Sequence, residues 1–251
     1  MKFEKYHGLG NDFLITEDVS IIDKSELIAK ICNRYTGIGA DGLIVVKKDP
    51  LEMVFYNQDG SRGEMCGNGI RCFGYYCYNH HLITTDNFDC LTLDGIKHLE
   101  IKSHTPFIAK VKMGKMIDKL MQFNIEFNGK QYLVYFLNFG VPHAVIYTEN
   151  NITESLGAYI SNHQYFPHKT NVNFVNVIDE KNINLITYER GVGFTKACGT
   201  GSCSSVIVSK QLGLVNDQVF VHQALGKLLI TIEENEIYME GESTKVGEII
   251  L

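Results

Sequence analysis

Residues 54–76 read VFYNQDGSRGEMCGNGIRCFGYY, and residues 185–208 read LITYERGVGFTKACGTGSCSSVIV. Each stretch opens as an apolar strand and passes through a polar, glycine-containing loop. It then reaches Cys-Gly-x-Gly and continues in a helical pattern. Cys66 begins the first Cys-Gly-Asn-Gly and Cys198 begins Cys-Gly-Thr-Gly, about half a chain length apart. A four-residue match alone is weak. The same order of strand, loop, cysteine and helix at half-chain spacing marks a chain built from two related halves.

The repeat carries a specific chemistry. A cysteine at a helix N-terminus sits where unpaired N–H groups and the positive end of the dipole favour an anion. That position lowers a thiol pKa from about 8.5 toward neutrality. The same N–H groups can hold a carboxylate, and the glycines allow a ligand to approach the backbone. Two such halves facing one carbon would supply a thiolate on one side and a thiol on the other. The expected reaction is inversion at the α-carbon of an amino acid. One sulfur takes the α-proton and the other returns a proton to the opposite face.

Most of the remaining chain reads as short strands. They are predicted over 2–7, 42–47, 52–57, 98–103, 107–113, 123–127, 131–138, 143–148, 172–178, 182–189, 218–223, 227–233, 236–240 and 245–250. Four helices are predicted. The first runs from Asp23 to Tyr35, capped by Asp23 with Glu26 three residues on. The others span 67–79, 153–163 and 199–212. The fold class is therefore α/β, of the α+β kind, in two domains. The N-terminal domain, 1–110, carries Cys66 and is completed by a last strand at about 242–251. The C-terminal domain, 111–241, carries Cys198.

Composition narrows the function. The chain of 251 residues is 45% hydrophobic and 21% charged, with a net charge of −6, which argues against a nucleic-acid partner. The most apolar stretch, 132–147, is interrupted by Asn138, Gly140, Pro142 and His143 and is shorter than the ~20 residues of a membrane span. The N-terminus lacks the apolar core of a signal peptide, so a cytoplasmic location is expected. Of the seven cysteines none forms a Cys-x-x-Cys pair, and no histidine lies at finger-like spacing from them. No metal is expected. Cys32, Cys72, Cys77, Cys90 and Cys203 read as core. Gly37-Ile-Gly39-Ala-Asp-Gly42 matches a dinucleotide fingerprint but follows a predicted helix and enters a strand. That is the reverse of a dinucleotide-binding unit.

Beyond the cysteines, residue type alone leaves alternatives open. Asn11 fits a turn after Gly10, Asn57 and Asp59 fit the closure of Asn-Gln-Asp-Gly, and Glu189 and Arg190 fit a surface pair. A guanidinium is also suited to a carboxylate.

The motifs HGLGNDF, GIGADG, YNQDGS, MCGNGIRCF, GVPHAV, TNVNFV and ERGVGFTKACGTGSC run the length of the chain. In them it resembles the diaminopimelate epimerase family, whose reaction interconverts LL- and meso-diaminopimelate on the route to lysine and peptidoglycan. The resemblance implies two domains related by a pseudo-two-fold, each a curled, mostly antiparallel sheet wrapped around a central helix, with the active site between. It also implies a homodimer, a small amino-acid substrate and no cofactor. Cys66 and Cys198 then match the catalytic thiols, with His143 and Glu189 as the groups that tune or deprotonate them. Gly67, Asn68, Gly199 and Thr200 resemble the residues that hold the α-carboxylate. Asn11, Asn57, Asn171, Glu189 and Arg190 resemble the other substrate contacts.

Three departures stand out. Val141 occupies a position where many members carry Asn, Gly42 one where many carry Gln, and Phe194 one where Glu is common. The first two remove polar contacts to the distal end of diaminopimelate and leave a racemase of another amino acid as the alternative. A thiol redox or metal-binding protein is a third reading, motivated by cysteine number alone.

Overall fold

The computed structural model describes residues 1–117, 119–148, 150 and 152–251. The chain divides into two compact units, Met1–Lys112 with Glu240–Leu251, and Met113–Met239. In chain order the elements are β1 (Lys2–Gly8), β2 (Asn11–Thr16), α1 (Ser25–Cys32), β3 (Gly42–Lys48), β4 (Leu51–Asn57), α2 (Gly67–Asn79), β5 (Asn87–Thr92), β6 (Gly95–His104) and β7 (Phe107–Lys115). They continue with β8 (Met121–Phe127), β9 (Lys130–Phe139), β10 (Val141–Tyr147), α3 (Glu154–Ser161), β11 (Asn171–Asp179), β12 (Asn182–Glu189), β13 (Gly193–Thr195) and α4 (Gly199–Gln211). The last are β14 (Gln218–Gln223), β15 (Gly226–Glu233), β16 (Glu236–Glu242) and β17 (Thr244–Ile250). A single 3-10 turn, Val19–Ile21, precedes α1.

The repeat seen around the two cysteines extends through each unit. In the first, β1 pairs antiparallel with β2, β2 parallel with β3, β3 antiparallel with β4, and β4 parallel with β5. In the second, β9, β10, β11, β12 and β14 pair in the same sequence of directions. Parallel neighbours need a crossover. The two crossovers in each unit are helical, α1 and α2 in one, α3 and α4 in the other.

Burial separates the two kinds of helix. One face of α1 packs Ile28 and Ile31 against Leu43, Val45, Val54 and Tyr56. Likewise α3 packs Leu156 and Ile160 against Val172 and Phe174. By contrast α2 and α4 are buried nearly all round, over Gly67–Gly74 and Gly201–Ser209, as befits helices enclosed by a sheet. In α4 three of the enclosed serines return their hydroxyls to the helix. Ser202 donates to the Cys198 carbonyl (2.8 Å), Ser205 to Gly201 (2.7 Å) and Ser209 to Ser205 (2.8 Å). Small side chains thus let strands approach closely at little polar cost, with Ser204 Oγ the one serine hydroxyl of the helix that is buried without a partner among the described residues.

The sequence reading of α1 needs correction. Asp23 has φ 61° and is not the cap, and Lys24 takes that place without a side-chain bond. Asp23 is instead tied to the Tyr56 hydroxyl, which accepts from its main-chain N–H at 2.9 Å. The helix also stops at Cys32, three residues early. The Asn33 carboxamide accepts from the N–H groups of Tyr35 and Thr36, both at 2.9 Å, and draws the chain into a turn, as Asn commonly does. Strands β2, β5 and the three-residue β13 escaped the sequence reading. β2 is buried along nearly its whole length, so it shows no alternation.

The turn after β4 depends on Gly60, which has φ +80° and donates its N–H to Asn57 at 3.0 Å. A Cβ there would lie 2.0 Å from the Ser25 carbonyl oxygen at the start of α1. Gly60→Ala should therefore destabilise the chain by ~2 kcal/mol or more, from strain and overpacking together. A urea midpoint unchanged from wild type would show that the turn relaxes freely.

Candidate functional site

Both cysteines of the repeat occupy the N-cap of an enclosed helix, with extended backbone. Cys66 has φ −126° and ψ 122°, and Cys198 has φ −129° and ψ 114°. Each also falls nine residues after the last residue of its strand, Asn57 in one case and Glu189 in the other.

In the first unit Cys66 is half-buried and its Sγ lies 3.7 Å from Asn11 Oδ1. That oxygen also accepts from Asn68 Nδ2 at 3.1 Å, while Asn11 Nδ2 donates to Asp41 at 2.7 Å. Asp41 is held in turn by Arg34, which bridges it to Asp12. The charge network thus fixes which end of the Asn11 amide meets the thiol. Asn68 is nearly fully buried, and its Oδ1 accepts from the enclosed Arg71 at 3.0 Å. Gly67 gives its carbonyl to Arg71 at 2.9 Å. Asn57 closes the Asn57–Ser61 turn, donating from Nδ2 to Ser61 Oγ at 3.0 Å.

In the second unit Cys198 Sγ accepts the Gly201 N–H at 3.4 Å and lies 3.7 Å from Thr200 Oγ1. An N–H at the third helical residue aimed at sulfur is a helix cap and favours negative charge there. The Cys198 N–H donates to Gln223 at 2.7 Å, a contact that sequence did not suggest. Register places His143 opposite Asn171, and Asn171 and Asn173 beside Glu189 and Thr187 on one sheet face. That face meets the first turn of α4. A Cβ on Gly201 would lie 2.5 Å from Asn173 Oδ1 and 3.1 Å from Cys198 Sγ. Asn171 Oδ1 accepts the Arg190 N–H at 3.0 Å. The Arg190 guanidinium donates to the His168 carbonyl at 3.0 Å, and Thr195 donates to Glu189 at 2.7 Å.

Burial sorts the other thiols. Desolvation pushes Cys32, Cys72 and Cys90 up to about 12 and Cys77 well above its ordinary value, which keeps them inert near neutrality. His143 is fully buried, and desolvation with the nearby Arg190 charge holds it at about 3. Among the described residues, no group of three or more His, Cys, Asp or Glu is arranged to hold a metal ion. None of their helices is long and apolar enough to cross a membrane.

The profile of the diaminopimelate epimerase family matches residues 3–117 and 135–246. The chain belongs to that family. It is 39% identical to the diaminopimelate epimerase of Caldanaerobacter subterraneus subsp. tengcongensis, over 99% of both chains. It is also 39% identical to that of Clostridium perfringens, over 97% of both. A phenazine biosynthesis protein of the PhzF family from Bacillus anthracis shares the fold, with TM-score 0.74 at 13% identity over 100% of this chain and 99% of that one. The two-domain α+β architecture expected from the family is the one observed.

Two of the three departures from the family pattern have a structural account. A Cβ on Gly42 would lie 2.6 Å from the Tyr56 carbonyl and 2.7 Å from the Phe55 ring. That ring also covers Gly63 and meets Phe13 edge-on at 6.0 Å. An aromatic side chain from β4 therefore fills the space a longer residue at 42 would use. Phe194 packs edge-on against Tyr188 at 5.6 Å, across the β12–β13 pair. Val141 opens β10 half-buried, and nothing in the structure explains the substitution.

Gly42→Gln should cost ~1–3 kcal/mol by overpacking, and adding Phe55→Ile should recover part of it. Independent, additive effects in the double-variant cycle would contradict the contact. His143 yields a pH test. The native chain binds no proton there near neutrality, whereas the unfolded chain does so below about 6.5. Stability is therefore lost as pH falls from about 6.5 toward 3, with this group supplying about 2 kcal/mol of loss by pH 5. In urea unfolding, His143→Gln should lose ~2 kcal/mol less than wild type between pH 7 and pH 5. Equal losses would show that His143 is protonated in the native state.

Proposed function

We propose that this chain is a diaminopimelate epimerase that interconverts LL- and meso-diaminopimelate without a cofactor, using Cys66 and Cys198 as an acid–base pair. The observation that carries this is the matched placement of two cysteines as N-caps of two enclosed helices, in a member of this family. One sulfur enters the reaction as thiolate and takes the α-proton, breaking C–H and forming S–H. The other enters as thiol and gives its proton to the opposite face of the same carbon. The roles exchange for the reverse reaction.

Helix-end N–H groups at Gly67 and Asn68 and at Gly199 and Thr200 stabilise charge on the reacting carboxylate. For Asn68 this role falls to the main chain, because its side chain is engaged by Asn11 and Arg71. Asn11, Asn57, Asn171, Glu189 and Arg190 supply the other substrate contacts, and His143 and Glu189 assist the thiols. Arg190 would leave the His168 carbonyl to meet a distal carboxylate. The reading includes a homodimer working in the cytoplasm, in lysine and peptidoglycan-precursor synthesis.

The test is proton NMR in D2O with LL-diaminopimelate and a panel of monocarboxylic amino acids. The α-proton signal of diaminopimelate should disappear with wild type and persist with Cys66→Ala or Cys198→Ala, each slower by at least ~10³-fold. Full activity in either variant would overturn the two-thiol mechanism. Exchange of a monocarboxylic amino acid in place of diaminopimelate would reassign the substrate.

A further inference from the structure

Because the two units share one topology, positions can be compared between them. β12 and β4 correspond by their common spacing to the cysteines, so Thr187 matches Phe55. Through the strand registers, Asn173 corresponds to Ile44 and His143 to Phe13. The same three inward positions are thus apolar in one unit and polar in the other. Phe13, Ile44 and Phe55 are buried, and so are His143, Asn173 and Thr187. An apolar trio satisfies the fold. Burying a polar trio costs free energy unless every group is bonded, so its presence in one unit calls for a purpose other than folding.

The hydrogen bonds within the trio have one consistent arrangement. The Asn173 amide lies with one end 3.3 Å from the Ala144 carbonyl and the other 3.0 Å from Thr187 Oγ1. A carbonyl can only accept, so the end facing Ala144 is the NH2. That same nitrogen is 3.0 Å from His143 Nδ1. The imidazole is neutral, because burial holds its pKa far below neutrality. With a donor against Nδ1, that nitrogen must offer its lone pair and the ring proton must sit on Nε2. Nε2 is itself fully buried and meets no hydrogen-bond partner among the described residues. The trio therefore delivers one unspent donor into an enclosed position, on the sheet face that carries Asn171 and Glu189.

We infer that Asn173 is a positioning residue that holds His143 in its Nε2–H tautomer, so that His143 acts as a hydrogen-bond donor to an anion and not as a base. Resting on the epimerase reading, the anion is a thiolate or a carboxylate of the reacting complex. Thr187 completes the arrangement by fixing the amide oxygen of Asn173. A general-base role for His143 is excluded by the same geometry, since the nitrogen that keeps a lone pair is the one already engaged.

The tautomer can be read directly by 15N NMR of the full chain labelled at histidine, at neutral pH and without substrate. The His143 signals are those lost in His143→Gln. Wild type should show an unprotonated Nδ1 and a protonated Nε2. Asn173→Asp replaces the donor with an acceptor and should move the proton to Nδ1, while kcat falls at least ~10-fold and KM changes less. Asn173→Leu introduces an apolar side chain of the size that Ile44 places at the matching position. It should fold and give mixed tautomers with a similar loss of kcat, which keeps the test open if the aspartate variant does not fold. A wild-type His143 protonated on Nδ1, or an unchanged tautomer in both variants, would overturn the assignment. The spectrum needs no turnover. A chain that failed to epimerise diaminopimelate would therefore overturn the reaction proposed above and leave the tautomer assignment intact.

Discussion

A helix enclosed on all sides by a sheet has no water to satisfy the N–H groups of its first turn. That constraint shapes both units of this chain. Glycine at the third helical residue, Gly69 or Gly201, lets strands press against the helix start. The residue before the helix must then supply the missing acceptor or leave a hole for one. Cys198 supplies it with sulfur. In the proposed reaction the N–H groups of that first turn also receive the carboxylate of the substrate. Fold and chemistry therefore draw on the same few residues, and neither can be altered without disturbing the other.

The two units answer this constraint differently around a shared frame. In one, Asp41 and Arg34 orient an asparagine so that its carbonyl meets the Cys66 thiol. In the other, a main-chain N–H meets the Cys198 sulfur, and the facing sheet is polar rather than aromatic. The resulting inequality suits a pair in which one sulfur enters as acid and the other as base. A symmetric frame alone would not bias the pair.

Much of this was legible in sequence because the repeated Cys-Gly-x-Gly turns combine strong local signals: a strand end, glycines and a helical pattern. Residues in that turn or beside it, from Asn57 to Thr200, stand out for that reason. What escaped has a physical cause in each case. Strand β2 is buried along nearly its whole length and lacks alternation. Asp23 looks like a cap because Glu26 follows at capping-box spacing, but a contact with Tyr56, distant in sequence, claims it. Asn173 and Thr187 stand at alternate strand positions, where a polar residue ordinarily signals solvent, and here that face is turned toward an enclosed helix. Phe55 has no visible connection to Gly42 until register sets the strands side by side.

The central claim is that two different sulfurs serve the two faces of one carbon. Its most direct measurement is the position of deuterium after a brief reaction of LL-diaminopimelate in D2O, analysed at low conversion. The two-sulfur account predicts solvent deuterium at the inverted carbon of the meso product and protium retained in the recovered LL substrate. Protium carried over into the product, or deuterium at equal levels in the recovered substrate and the product, would mean that a single group serves both faces, and would contradict it.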